Sequence, residues 1–214
     1  MWPVDNPELT GELAGITPFK QLVSASQPYG RMCTNVGKMS NNLVVGADAL
    51  VTKRANGGLM VRSADCVPIL LYGQSTVAIG VIHAGWRGLI AGVISSTLDQ
   101  FISLGTDQST LSVVIGPSAR VCCYEVDSPT DGAPMLRPQL GSSNQRFLIN
   151  RGGKTYLDLV GLATAQLLGA GVNQSSITAD PRCTIHAASL PSFRRTGVTA
   201  PSIAGVIGLL PTDI

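Results

Sequence analysis

The chain is 214 residues long, enough for one domain, or at most two small ones, with a sizeable core. Apolar residues make up 44% of it and charged residues 13%, about half the usual share of charge and the opposite of a disordered composition. Fifteen Lys and Arg against thirteen Asp and Glu leave a net +2 with no basic run, which argues against a nucleic-acid partner and against a charged membrane-surface mode.

No repeat or low-complexity tract divides the sequence, so it reads as a single domain, 1–214. The first 45 residues carry weak periodicity and several turn formers: Pro18, Pro28, Gly30, Gly37, Asn41 and Asn42. From Asp48 the signal sharpens. Ala49–Lys53 and Leu59–Ser63 read as two short strands joined by an Asn56-Gly57-Gly58 turn, as in a β-hairpin. Val67–Tyr72 and Val77–His83 are near-continuous apolar runs, the pattern of strands covered on both faces. Ile90, Ile94, Leu98 (or Thr97), Phe101 and Ile102 then fall on one helical stripe, which Gly105 ends. Leu111–Ile115 is the next strand, which makes a βαβ unit with a right-handed crossover. The Pro/Gly/Ser-rich segment Asp127–Gln145 reads as a surface loop, Leu157–Leu168 as a second helix, and Ser202–Leu210 as a closing strand. An α/β (α+β) fold with layered mixed sheets and flanking helices follows; the strand order does not.

Two uncharged stretches, 66–86 and 196–212, raise the membrane question. Pro68, Gly73, Gln74 and Ser75 break the first and Pro201 the second, so both read as buried strands rather than spans of about 20 apolar residues. The opening residues, Met1 to Glu8, show neither the positive nor the apolar region of a secretory signal, and a cytoplasmic protein is expected. The five cysteines agree: Cys33, Cys66, Cys122, Cys123 and Cys183 are odd in number and have no CxxC spacing, as reduced thiols rather than a disulfide framework.

Only two histidines occur, His83 and His186. That excludes an all-histidine metal site within the chain and a multicopper oxidase, whose centres are rich in imidazole. The strongest local motif is His83-Ala84-Gly85-Trp86-Arg87-Gly88, where an apolar strand gives way to a helix. Its glycines allow a sharp turn and close approach to a ligand, the helix start offers N–H donors, and Arg87 adds a guanidinium fork for an anion. An ordinary βα turn with a satisfied core histidine explains the motif equally well. Upstream, Ser63-Ala64-Asp65-Cys66-Val67-Pro68 puts Cys66 at the start of the strand expected to neighbour that of His83. A Cys–His pair is either half of a zinc site or a thiolate activated by imidazole, and Asp65 could orient either one. Against this stands the frequency with which cysteine is simply packing. Cys122-Cys123-Tyr124-Glu125 could line the same cleft or serve the core, and Arg194-Arg195 suits a phosphate or a solvated loop. His186 has no anchoring neighbour and reads as surface.

Taken in order, Asp48-Ala49-Leu50-Val51-Thr52, Ser63-Ala64-Asp65-Cys66-Val67-Pro68 and His83-Ala84-Gly85-Trp86-Arg87-Gly88 resemble the laccase-domain family, also called YfiH-like or polyphenol-oxidase-like. Ile115-Gly116-Pro117, Cys123-Tyr124-Glu125-Val126, Tyr156-Leu157-Asp158-Leu159, and Cys183-Thr184 with Ser192-Phe193-Arg194-Arg195 continue the likeness, which starts at residue 28; residues 1–27 match poorly. The resemblance implies a fold akin to the catalytic domain of cytotoxic necrotizing factor toxins, whose core is a Cys–His pair. It implies zinc-dependent purine nucleoside phosphorylases that also deaminate adenosine and cleave methylthioadenosine. On that likeness a purine nucleoside and phosphate are the partners. Cys66 and His83 are the metal ligands and, with Asp65, the catalytic residues. Arg87, Tyr124, Glu125, Arg194 and Arg195 bind substrate and phosphate. The family's third ligand, a histidine, is missing: Val45 stands in its place, so zinc is expected to be held weakly. The family's Thr-Gly-Arg is here Thr196-Gly197-Val198. Three readings therefore stand beside one another: a zinc phosphorylase, a metal-free Cys–His hydrolase, and a catalytically degenerate binding protein.

Overall fold

The structure is a computed structural model that describes residues 18–19, 21–37, 42–127 and 133–210, and within it nothing is said of the side chains of 133–135. Met1 to Glu8, Asn41 and the 128–132 part of the expected loop lie outside the described residues.

Three layers stack. The middle layer is a six-stranded mixed sheet in the order β11-β8-β6-β7-β4-β2, formed by Ile177–Ala179, Leu111–Ile115, Val67–Gly73, Ala78–Ala84, Ala49–Thr52 and Cys33–Asn35. Its centre, β7, is buried at all seven positions, as its unbroken apolar run requires. β6 runs antiparallel to both β7 and β8 and separates them, so the expected βαβ unit crosses over one intervening strand. A four-stranded sheet in the order β12-β5-β1-β3 (Ile203–Leu209, Gly57–Ser63, Gln21–Ala25, Leu43–Val44) covers one face. Helices cover the other: α1 (Trp86–Ala91), α2 (Val93–Ser103), α3 (Ala133–Leu140) and α4 (Leu159–Gly169), while α5 (Phe193–Thr196) is a single turn in a loop. A small β9–β10 ribbon (Leu148–Arg151, Lys154–Leu157) precedes α4.

Strand alternation explains the stacking. In β7, Ala78, Ile82 and Ala84 join the core under the helices, while Ile79 and Val81 join the core between the two sheets with Leu50, Leu59 and Val61. His83 shares the phase of Ile79 and Val81, which points it toward the four-stranded sheet at the end of the strand.

The structure corrects four expectations. β4 and β5 form no hairpin: β4 pairs with β2 and β7, β5 with β1 and β12, in different sheets. Both are buried on both faces, and a period-2 pattern does not say which partner covers them. The first long helix is two, because Gly92 sits at φ +89 and serves as C-cap of α1 and N-cap of α2. Ile102, placed on the buried stripe, is 50% exposed. The expected loop contains α3 despite Pro138 inside it; burial of Leu136 and Leu140 in the core offsets the hydrogen bond that the proline removes. The weakly patterned first 45 residues hold β1, β2 and β3.

No helix among the described residues is long and apolar enough to cross a membrane.

Candidate functional site

His83 is paired across the sheet with Pro68, and the same register carried outward brings Cys66 level with Gly85. A Cβ added at Gly85 would lie 3.0 Å from the Cys66 sulfur and 3.4 Å from the Tyr29 ring, so only glycine leaves the thiol its place. Cys66 is close enough to the His83 imidazole to act on its charge. On the imidazole's other side, His83 Nδ1 lies 2.9 Å from Oδ1 of Asp48, a wholly buried carboxylate. Asp48 also accepts the backbone N–H groups of Tyr29 (3.0 Å) and Gly30 (2.6 Å), and its carbonyl accepts the N–H of His83 at 2.8 Å. Tyr29 sits edge-on to the imidazole, centroids 5.2 Å apart. With Nδ1 held by a carboxylate, Nε2 is the nitrogen left for the thiol or for a metal.

Burial opposes charge on His83, but its interactions with Cys66 and then with the Asp48 carboxylate outweigh it and hold its pKa up at about 9. Burial, with Cys66 and Asp48 adding to it and Arg87 working against it, pushes the Tyr29 phenol up to about 12.

Asp65 faces elsewhere. At φ +89 its carboxylate accepts the hydroxyls of Thr184 (2.7 Å) and Ser192 (3.1 Å) and the N–H of Arg194 (2.7 Å), and its carbonyl accepts the N–H of Ala119 at 2.9 Å. It ties three loops together behind Cys66, while Asp48 is the carboxylate on the imidazole. Arg195 is committed to its own loop: its guanidinium donates to the carbonyls of Thr184 (2.7 Å), Ile185 (3.1 Å), Ala187 and Leu190. Arg194 stacks on Tyr124 at 4.7 Å and donates to the carbonyl of Glu125 at 2.8 Å. Glu125 itself pairs with Lys154 at 2.8 Å. Arg87 is exposed and stacks on Trp86 at 4.3 Å. Val45 is 80% exposed and Val198 76% exposed, and neither offers a ligand atom.

Sequence reasoning missed Asp48 and Tyr29. The signal for Asp48 was present: a lone carboxylate opening a strand with no charged neighbour must find donors once buried. Nothing in the sequence pointed to Tyr29. The thiols of Cys122, Cys123 and Cys183 lie within 4.8 Å of one another, a group with the donors to bind a metal. A cavity of about 440 Å³ opens between Arg120, Arg146, Phe147, Asp158 and Thr164 and includes none of the expected site residues.

Comparison with known proteins settles the lineage. The family described as multi-copper polyphenol oxidoreductase laccase matches residues 5–210. The chain belongs to this family. The match begins well upstream of residue 28. Among relatives in the family, a purine nucleoside phosphorylase of Aquifex aeolicus (strain VF5) is 37% identical over 160 residues, 75% of this chain and 70% of its own length. A purine nucleoside phosphorylase of Corynebacterium glutamicum is 32% identical over 206 residues, 95% of this chain and 80% of its own. The crystal structure of the hypothetical protein YfiH from Bacillus licheniformis superposes with a TM-score of 0.83 at 26% identity, over 92% of this chain and 78% of that one. The layered α/β architecture is that of the laccase-domain family.

The close fit at Gly85 gives a direct test of the site. Gly85→Ala drives a methyl group into the Cys66 sulfur, and one rotation of that side chain relieves the contact. The variant is expected to lose about 1 kcal/mol of stability or slightly more, yet to alkylate at Cys66 at a clearly altered rate. Chemical unfolding beside iodoacetamide kinetics checks both.

Proposed function

We propose that this chain is a purine nucleoside phosphorylase whose chemistry is centred on Cys66, His83 and Asp48. The observation that carries the reading is the half-buried Cys66 beside the buried His83–Asp48 pair in a chain whose relatives bear that name. Phosphorolysis joins a phosphate oxygen to C1′ of the ribose as the bond from C1′ to the purine breaks, giving free purine and ribose 1-phosphate. Phosphate needs positive charge, and the exposed Arg87 guanidinium supplies it better than the six-residue α1 behind it. Arg194, flat on Tyr124, offers a second cationic edge, and Arg195 drops out of the phosphate-binding set. Cys66 and then Asp48 hold the His83 pKa up and Asp48 orients the ring, so in the metal-free site the imidazolium has a proton to donate as negative charge develops. Glu125 and Tyr124 line the nucleoside side in this reading.

Cys66 and His83 are the residues that would hold zinc, which would supply Lewis acidity, the chemistry that deamination of adenosine calls for. The residues fit it incompletely. Cys66 Sγ and His83 Nε2 make two donors where catalytic sites normally provide three, and the carboxylate behind the imidazole is the usual support of a zinc histidine. Weak binding is the consequence. Cleavage of methylthioadenosine belongs to the same proposal, as a phosphorolysis at the same centre.

The same geometry favours one other reading, a metal-free hydrolase with Cys66 as nucleophile, His83 as base and Asp48 as orienter. Adenosine, phosphate and zinc incubated with the protein are expected to give adenine and ribose 1-phosphate. In Cys66→Ala the rate is expected to fall by about 10²–10⁴-fold. Turnover of an ester or amide that survives chelators and is stopped by alkylation would select the hydrolase. No turnover of the nucleoside in either protein overturns the phosphorylase reading.

A further inference from the structure

We propose that Cys122, Cys123 and Cys183 form a second metal site, independent of Cys66 and His83, which takes a zinc-class thiophilic cation through three thiolates and one solvent molecule. The three sulfurs lie within 4.8 Å of one another. Sulfurs around a tetrahedral zinc, at about 2.3 Å from the metal, stand roughly 3.8 Å apart, so small side-chain rotations close the group on an ion. Neither an imidazole nor a carboxylate belongs to the group, and an all-sulfur donor set selects soft cations over magnesium or calcium.

The backbone assembles the group without help from a metal. Cys122 and Cys123 ride on a turn in which Cys123 and Tyr124 both donate their N–H to the carbonyl of Arg120 at 2.9 Å. Cys183 is brought to that turn by a bridge to Ser118, and Thr184 donates its N–H to the Ser118 carbonyl at 3.0 Å. The N–H of Arg120 lies 3.4 Å from the Cys183 sulfur, and those of Ile185 and His186 are also directed at it. Backbone donors on sulfur are what a metal-bound thiolate accepts in its outer shell. They pull the Cys183 thiol down against the effect of its burial. Cys123 shows the opposite: burial, then the neighbouring cysteines, push it up to about 12. Burial grades across the group, from Cys183 (buried) through Cys123 (half-buried) to Cys122 (exposed), so an ion has an entry path and solvent can fill the fourth position.

The role that follows is structural. Thr184 beside Cys183 holds Asp65, and Asp65 precedes Cys66, so an ion at the three cysteines fastens the loops behind the catalytic cysteine. The proposal does not depend on the phosphorylase reading.

The test is anaerobic titration of the reduced, metal-free full-length protein with cobalt(II), followed by competition with zinc(II). Thiolate-to-cobalt charge-transfer absorption reports how many sulfurs bind. The strong multi-thiolate band is expected in the wild type and in Cys66→Ala, with zinc displacing the cobalt. In Cys183→Ser the affinity is expected to drop at least tenfold and the band to shrink. Cys123→Ser, at the half-buried position, repeats the measurement should the buried serine disturb folding. Cobalt spectra of both variants that match the wild type would overturn the proposal. So would a wild-type spectrum with a single thiolate that vanishes in Cys66→Ala.

Discussion

Asp65→Ala is expected to lower stability by about 3–5 kcal/mol, near the upper end of what single substitutions do. The wild-type carboxylate is 5% exposed and receives two hydroxyls and one backbone N–H from segments more than a hundred residues further along the chain. Alanine removes the acceptor and leaves three buried donors, each costing about 1–3 kcal/mol unless water reaches it. The backbone adds to the loss, because φ +89 is tolerated by aspartate better than by alanine. Asp65→Asn keeps one oxygen and the backbone preference but turns an amide N–H₂ toward a donor, so it should fall between the two. Urea unfolding of the three proteins gives the order directly, and Asp65→Ala within 1 kcal/mol of wild type would deny Asp65 its role as a tie.

Much of the fold was legible because the strands at its centre are buried on both faces and therefore written as unbroken apolar runs. β6 and β7 fall where Val67 and Val77 open those runs, within a residue or so, while β8, opening at Leu111, alternates buried and exposed positions. Pairing was not legible. β4 and β5 look alike in sequence and go to different sheets, since the partner of a strand is a long-range fact. At the site, the Cys66 and His83 neighbourhood follows from two adjacent strands, and the structure makes that adjacency concrete through the Pro68–His83 pair. The choice of carboxylate did not follow. Asp65 is next to Cys66 in sequence, but a residue's neighbours along a strand or turn point away from it, and the one facing His83 is Asp48, the residue just ahead of β4. The cysteines of the second group were hidden for the same reason: sixty residues separate Cys123 from Cys183, and contacts of Ser118 and Arg120 with the 183–184 segment close that distance.

Asp48 is where fold and chemistry meet most tightly, and its loss is expected to reach both. Asp48→Ala strips the acceptor from the N–H groups of Tyr29 and Gly30 and from the imidazole, so the 29–30 loop loosens and His83 loses its fixed orientation. Turnover at Cys66 and His83 is expected to fall by about 10²–10⁴-fold. Asp48→Asn is the milder change: its amide oxygen can still accept on one side, but its N–H₂ faces a donor that the second carboxylate oxygen served, and its charge is gone. The sign of the pH dependence follows from the raised pKa of His83. A group whose pKa rises on folding stabilises the fold fully below its unfolded value, about 6.5 for histidine, and that contribution fades as pH climbs through the folded value of about 9. The Asp48 carboxylate supplies part of this, after Cys66. In metal-free protein, the stability gap between wild type and Asp48→Asn should therefore be widest near pH 6 and narrow above pH 9. A gap that stays constant over that range would mean that Asp48 holds His83 by geometry alone, and activity in Asp48→Asn should then stay close to that of the wild type.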